Sequence, residues 1–138
     1  MFDHLNVALK IVAIGGALQC ATTAGAMEDS PVVPSGLQMT LQETLYDQLQ
    51  DGTKALRLRF VAPAIGADDV TYSTVSDDFA VICQDVGLPK LATDSRSVDQ
   101  IIVSFSDRET AFGVANSDVT QYFEVFTLEN DTCIWEAF

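Results

Sequence analysis

The chain has 138 residues, with 20 acidic against 7 basic side chains and a formal net charge of −13. A surface of that sign repels phosphate and anionic lipid, so neither nucleic acid nor a charged membrane is expected as a partner. Its one histidine is His4, and no P-loop, GxGxxG or HExxH occurs, so Ser-His-Asp, Cys-His and histidine-ligated zinc chemistry would all have to rest on a residue at the extreme N-terminus.

Residues 1–26 read as a cleaved export signal. Lys10 closes a short N-terminal region, Ile11 to Leu18 is apolar, and Ala24-Gly25-Ala26 supplies the small residues of a cleavage site. The apolar run falls well short of the roughly 20 residues a bilayer span needs, so no membrane span is expected in the mature chain. Cys20 raises lipidation as an alternative, although Gln19 is a poor neighbour for it. Cleavage would remove one lysine, one aspartate, His4 and Cys20, leaving the net charge at −13 and two cysteines, Cys83 and Cys133. The expected location is periplasmic or secreted, an oxidising setting for that pair.

Residues 27–36, with two prolines and a glycine, form an extended lead-in, and 37–138 a single domain. Leu37 to Gln50 reads in two ways. Thr40 and Glu43 have capping-box spacing above Leu41, Leu45 and Leu49, which favours a helix. Asp51-Gly52 and the alternation of Leu56, Leu58 and Phe60 with Arg57 and Arg59 favour a hairpin, which explains more. A two-residue turn at Asp51-Gly52 sets Leu45 opposite Leu58, Leu41 opposite Ala62, and Tyr46 and Thr44 beside Arg57 and Arg59.

Tyr72, Val75, Phe79, Ile82, Cys83 and Val86 make the one apolar stripe of helical period, started by Asp69 and ended by a left-handed Gly87 before Pro89. Asp77 and Asp78 lie off that stripe and read as helix surface. Lys90 to Asp99 reads as a polar loop, Gln100 to Ser106 as a strand with Ile101, Val103 and Phe105 inward, and Ala111 to Ala115 as a short strand. The chain closes on a hairpin, Gln121–Leu128 and Cys133–Phe138, turning at Asn130-Asp131. It places Leu128 opposite Cys133, Phe126 opposite Trp135 and Glu124 opposite Ala137, with Phe126, Leu128, Cys133 and Trp135 on one core face. The fold expected is α+β, a small antiparallel sheet with one main helix packed on one face and a C-terminal β-hairpin. Packing the helix stripe on that core face brings Cys83 to Cys133, so a disulfide is expected, with two buried free thiols as the alternative and a redox pair, which lacks the CxxC spacing, a more distant one.

No catalytic, cofactor-binding or metal-ligating set is legible. The acidic pairs lack the order of a calcium loop. Two groups are candidates for binding: Asp107, Arg108 and Glu109, where the arginine could grip a carboxylate or phosphate at the sheet edge, and Arg57 with Arg59 on the outer face of their strand. Each has a plainer reading, an ion-paired turn for the first and a solvated protective face for the second.

The segments Leu58-Arg59-Phe60-Val61-Ala62-Pro63-Ala64-Ile65, Val103-Ser104-Phe105-Ser106-Asp107-Arg108, Phe112-Gly113 and Cys133-Ile134-Trp135-Glu136-Ala137-Phe138 together resemble a group of short exported alphaproteobacterial proteins classed as a domain of unknown function. Some of these carry an acetolactate synthase label. This chain argues against taking the label literally, since its one Asp-Gly is a hairpin turn and it is several times too short. The resemblance carries no site residue. The functional expectation is therefore a non-catalytic exported domain that acts through a protein partner as accessory, inhibitor or scaffold, with no cofactor. A small-ligand or metal-binding periplasmic protein is the alternative, and a carboxylate-dependent hydrolase a more distant one.

Overall fold

In a computed structural model, residues 30–137 are described, together with 15 and 16. Apart from those two glycines the expected leader, and with it Cys20 and His4, lies outside them. Among the described residues no helix is long and apolar enough to cross a membrane. Five strands form one sheet in sequence order: β1 (Thr40–Gln48), β2 (Lys54–Val61), β3 (Gln100–Ser106), β4 (Gln121–Glu129) and β5 (Thr132–Trp135). The fold is α+β, but the sheet is not wholly antiparallel. β2 and β3 run parallel, Leu58 beside Val103, because the helical stretch carries the chain from the end of one strand back to the start of the next.

Leu37 to Gln50 resolves as strand, and its hairpin differs by one residue from the expected pairing. Gly52 takes a φ of +86°, and the Leu49 N–H donates to the Thr53 carbonyl at 2.8 Å, so three residues rather than two make the turn. Leu58 therefore faces Thr44, Arg57 faces Leu45, and Arg59 faces Glu43. A bulge between Leu41 and Glu43 shifts the register again and sets Leu41 against Phe60. Thr40 and Glu43 cap nothing.

The helical stretch starts later and ends later than the sequence suggests. Thr71, not Asp69, caps it, in a reciprocal capping box with Thr74. Three short helices follow, α1 (Tyr72–Val75), α2 (Asp78–Ile82) and α3 (Leu88–Asp94), with a π turn over Cys83–Gly87. Pro89 has no N–H to return to the carbonyl four residues earlier, yet it does not end the helix. The chain widens by one residue instead, the Leu88 N–H reaching Cys83 O, and Pro89 falls in the first turn of α3, where a missing donor costs little. Gly87 is right-handed. The left-handed residue is Ser95, where Arg96 N–H closes on Leu91 O at 3.0 Å. Half of the expected Lys90–Asp99 loop is thus helix.

The helices cover one face of the sheet. Leu56, Leu58, Phe60, Ile101, Val103, Phe105 and Phe126 point into this core against Val75, Phe79 and Ile82, and Phe79 stacks on Phe105 at 4.2 Å between centroids. Cys83 is bonded to Cys133 across a Cα separation of 6.3 Å, which ties the edge strand β5 to the π turn. Asp78 is not helix surface. It is fully buried in the first turn of α2, where its carboxyl accepts hydrogen bonds from the Ser35 N–H at 2.9 Å and from the Ser35 hydroxyl, and this pins the 30–37 lead-in across the core.

Candidate functional site

The register fixes what the other face of the sheet presents. One row across the strands reads Glu43, Arg59, Ser104, Phe123, and the next reads Leu45, Arg57, Ile102, Val125. Among the described residues no helix covers this face. In place of the expected strand at 111–115, residues 110–115 form a loop that folds over part of it.

Thr110 anchors that loop. The bulge in β1 turns Gln42 towards it, so that Gln42 Nε2 donates to the Thr110 carbonyl at 2.9 Å while the Thr110 N–H donates back to Gln42 Oε1 at 3.4 Å. Arg59 completes the clasp, with Nη2 donating to Thr110 O at 2.8 Å and Oγ1 at 2.9 Å and Nη1 to Glu43. At the loop's base Arg108 donates to Asp107 at 3.1 Å and to the Asp118 carbonyl at 3.2 Å, and the Asp107 N–H reaches Thr120 O at 3.0 Å, so both ends of the loop are tied together. The Arg108 guanidinium holds the Asp107 carboxyl below the usual carboxylate range, and the same bond raises the affinity of Arg108 for its proton.

So held, Phe112 lies over both strand arginines, its ring centroid 5.1 Å from the Arg57 guanidinium carbon and 5.6 Å from that of Arg59. Between this loop and the sheet is a hollow of about 300 Å³, lined by Arg57, Ile102, Ser104, Phe112, Val114 and Phe123 among others. Three apolar members of that wall are largely open to solvent: Phe112 is 49% exposed, Val114 64% and Phe123 57%.

The two candidate groups therefore separate. Arg57 and Arg59 meet in this hollow. Asp107 and Arg108 do not line it but close the loop that roofs it, and Glu109 is exposed on the same loop. Nor is the arginine ladder an evenly solvated face. Arg59 is only 6% exposed and engaged through both Nη, whereas Arg57 uses only Nε, towards Asp47 at 2.9 Å. Phe112, Phe123, Ser104 and Gln42 escaped the sequence reading. Phe123 alone left a signal there, being out of phase with Phe126 and Leu128.

A second cluster lies on the helix side. Glu124 is buried, accepting hydrogen bonds from Trp135 Nε1 at 2.7 Å and from the Tyr72 hydroxyl. That bond and burial push the Tyr72 pKa up to about 12. Trp135 stands opposite Phe126 as the pairing requires, but it is 58% exposed rather than core, because β5 is the edge strand and no described residue packs beyond it. Among the described residues no three His, Cys, Asp or Glu side chains converge as a metal site would need.

A family model for a family of unknown function, DUF6497, matches residues 13–138. The chain belongs to that family. No curated protein and no solved structure matches it. The outer face of this DUF6497 domain must therefore be read from its own residues.

Proposed function

We propose that this DUF6497 protein is a non-catalytic exported domain that acts through a protein partner docked on the outer sheet face around Arg57, Phe112 and Phe123. The observation that carries the reading is the exposure of Phe112, Val114 and Phe123 together on the sheet face that no helix among the described residues covers. Apolar side chains gathered like this, rimmed by polar ones, have the character of an interaction surface. The Cys83–Cys133 bond supports an oxidising location. The chain as a whole carries a net charge of −13, so a basic partner is favoured over an acidic one, and their association weakens as salt rises.

Site-directed photocrosslinking in the native host tests this. A photoreactive phenylalanine at position 123 is expected to give one discrete adduct that a Phe112→Ser change suppresses, while the same probe at position 72, on the helix side, gives none. Equal labelling from both positions, or none from 123, would overturn the reading. The hollow itself favours a second reading, a small-ligand-binding protein using the same face.

A further inference from the structure

We infer that the hollow over Arg57 is a binding site for a single carboxylate carried on a flat apolar body about the size of one aromatic residue. This rests on the outer-face reading above and names the chemistry that face takes. Arg57 supplies the first ground. Its Nε is engaged by Asp47 at 2.9 Å, which fixes the plane of the guanidinium, and neither Nη makes a hydrogen bond to any described residue. A guanidinium oriented in this way offers a planar fork, the geometry that two carboxylate oxygens match.

Arg59 shows the contrast. With both Nη committed to Glu43 and Thr110 it holds the roof of the hollow and has no open Nη pair to offer. Ser104, on the floor beside it, is nearly buried, and its hydroxyl likewise has no partner among the described residues. It is a second donor for the same anion.

Charge and volume then narrow the ligand. Arg57 is balanced by Asp47 and Arg59 by Glu43, so the site has little surplus positive charge, and the whole chain carries −13. A doubly charged phosphate is poorly matched to such a place, whereas a monoanion needs only the fork. Phe112 and Phe123 supply two exposed aromatic walls and Ile102 an apolar floor. At about 300 Å³ the hollow is at the small end of ligand pockets, large enough for one ring and its acid and too small for an extended segment. The carboxylate could come from the last residue of a polypeptide or from a free aromatic acid, and the two share this chemistry.

The test titrates the intact domain, disulfide formed, with N-acetylphenylalanine, its amide, 3-phenylpropionate and N-acetyl-Gly-Gly-Phe, followed by backbone amide shifts. Both simple acids are expected to move resonances of Ser104, Thr110 and Phe123 and to leave those of α2 in place. The amide should bind at least about tenfold more weakly, as should every acid to Arg57→Gln, since a charged hydrogen-bonded pair contributes on that scale. Ser104→Ala, a small change on the floor, should weaken binding a few-fold and serves if Arg57→Gln does not fold. Equal binding of acid and amide, indifference to both substitutions, or no shifts at millimolar acid would overturn the inference. A tighter fit for the tripeptide than for phenylpropionate assigns the carboxylate to a chain terminus, and the reverse order assigns it to a free acid. Failure here with the crosslink from position 123 intact removes the pocket and leaves the docking face standing. Loss of the crosslink with binding intact does the opposite.

Discussion

Gly87 and Ile101 meet so closely that a Cβ on the glycine would stand 2.7 Å from the isoleucine Cδ1 and 3.3 Å from its Cγ2. The π turn brings the helix backbone directly onto β3, and a side chain at position 87 fits only if the Ile101 side chain shifts. Gly87→Ala gains helix propensity, about 1 kcal/mol, but overpacks a buried site, at roughly 1–3 kcal/mol. A net loss of about 1 kcal/mol is expected in urea unfolding. Removing Cδ1 by Ile101→Val should relieve the clash, so the double variant should be more stable than the summed single losses by about 1 kcal/mol. Strict additivity would mean that the contact is not what selects glycine.

The same residue shows where the sequence was legible and where it was not. Gly87-Leu88-Pro89 has the composition of a helix end, and composition cannot distinguish a glycine needed for left-handed backbone from one needed for close approach. The distinction lies in Ile101, fourteen positions away. By contrast, the alternation in β2 and β3 gave the core faces correctly, because period-two burial is a local property. The terminal hairpin kept its register because Asn130 and Asp131 both adopt positive φ, 50° and 59°, in a two-residue turn. Asp51-Gly52 carries nearly the same signal but closes a three-residue turn, and that one-residue difference carried Leu45 to the outer face beside Arg57. The parallel pairing of β2 with β3 was hidden because a crossover is set by the length and path of the helical stretch. The hollow was hidden for a similar reason: its walls come from β2, β3, β4 and a loop that alternation does not describe.

The disulfide should matter most at the edge of the sheet. Cys83 and Cys133 are 50 residues apart, and in the chain-entropy model closing such a loop contributes about 4 kcal/mol. Reduction or the Cys83→Ala/Cys133→Ala pair is expected to lower the unfolding free energy by an amount of that order. Amide exchange should rise first in β5, four residues long and paired on one side only, before it rises in β3. Uniform acceleration through the whole sheet would show that β5 is not separately dependent on the bond.

Two tyrosines give the alkaline limb of stability. Tyr72 is held up to about 12 chiefly by its hydrogen bond to Glu124, and Tyr46 to about 12 chiefly by burial, with its bond to Asp94 adding to it. A phenol whose folded pKa exceeds its unfolded value of about 10 stabilises the fold fully below pH 10, and that contribution is lost as pH rises towards 12. Tyrosinate absorbance should show Tyr46 and Tyr72 titrating late, and Tyr72→Phe should flatten the fall in stability over that window. At the acid end the Tyr46 hydroxyl, then Lys90, holds the Asp94 carboxyl low, so Tyr46→Phe should raise the Asp94 pKa in a carboxyl-carbon titration. An unchanged Asp94 would place the control in Lys90 instead.

The two strand arginines should behave differently when removed, although they are two residues apart on one face. Arg59 is buried, paired with Glu43 and donating twice to Thr110, so Arg59→Met strands a carboxylate and loosens the loop that carries Phe112. Truncating one side of a fully buried pair costs about 3–5 kcal/mol; Glu43 keeps a third of its side chain in solvent, so a loss of about 2 kcal/mol is expected. Arg57 shares one bond with Asp47, both groups about a quarter exposed, and such pairs contribute only about 0–1 kcal/mol. Arg57→Gln should therefore leave the melting temperature nearly unchanged and the amide shift of Thr110, which Gln42 and Arg59 hold, close to wild type, while Arg59→Met moves both. If the two variants lose equal stability, Arg57 is as structural as its neighbour, and its open guanidinium is not held in reserve for a ligand.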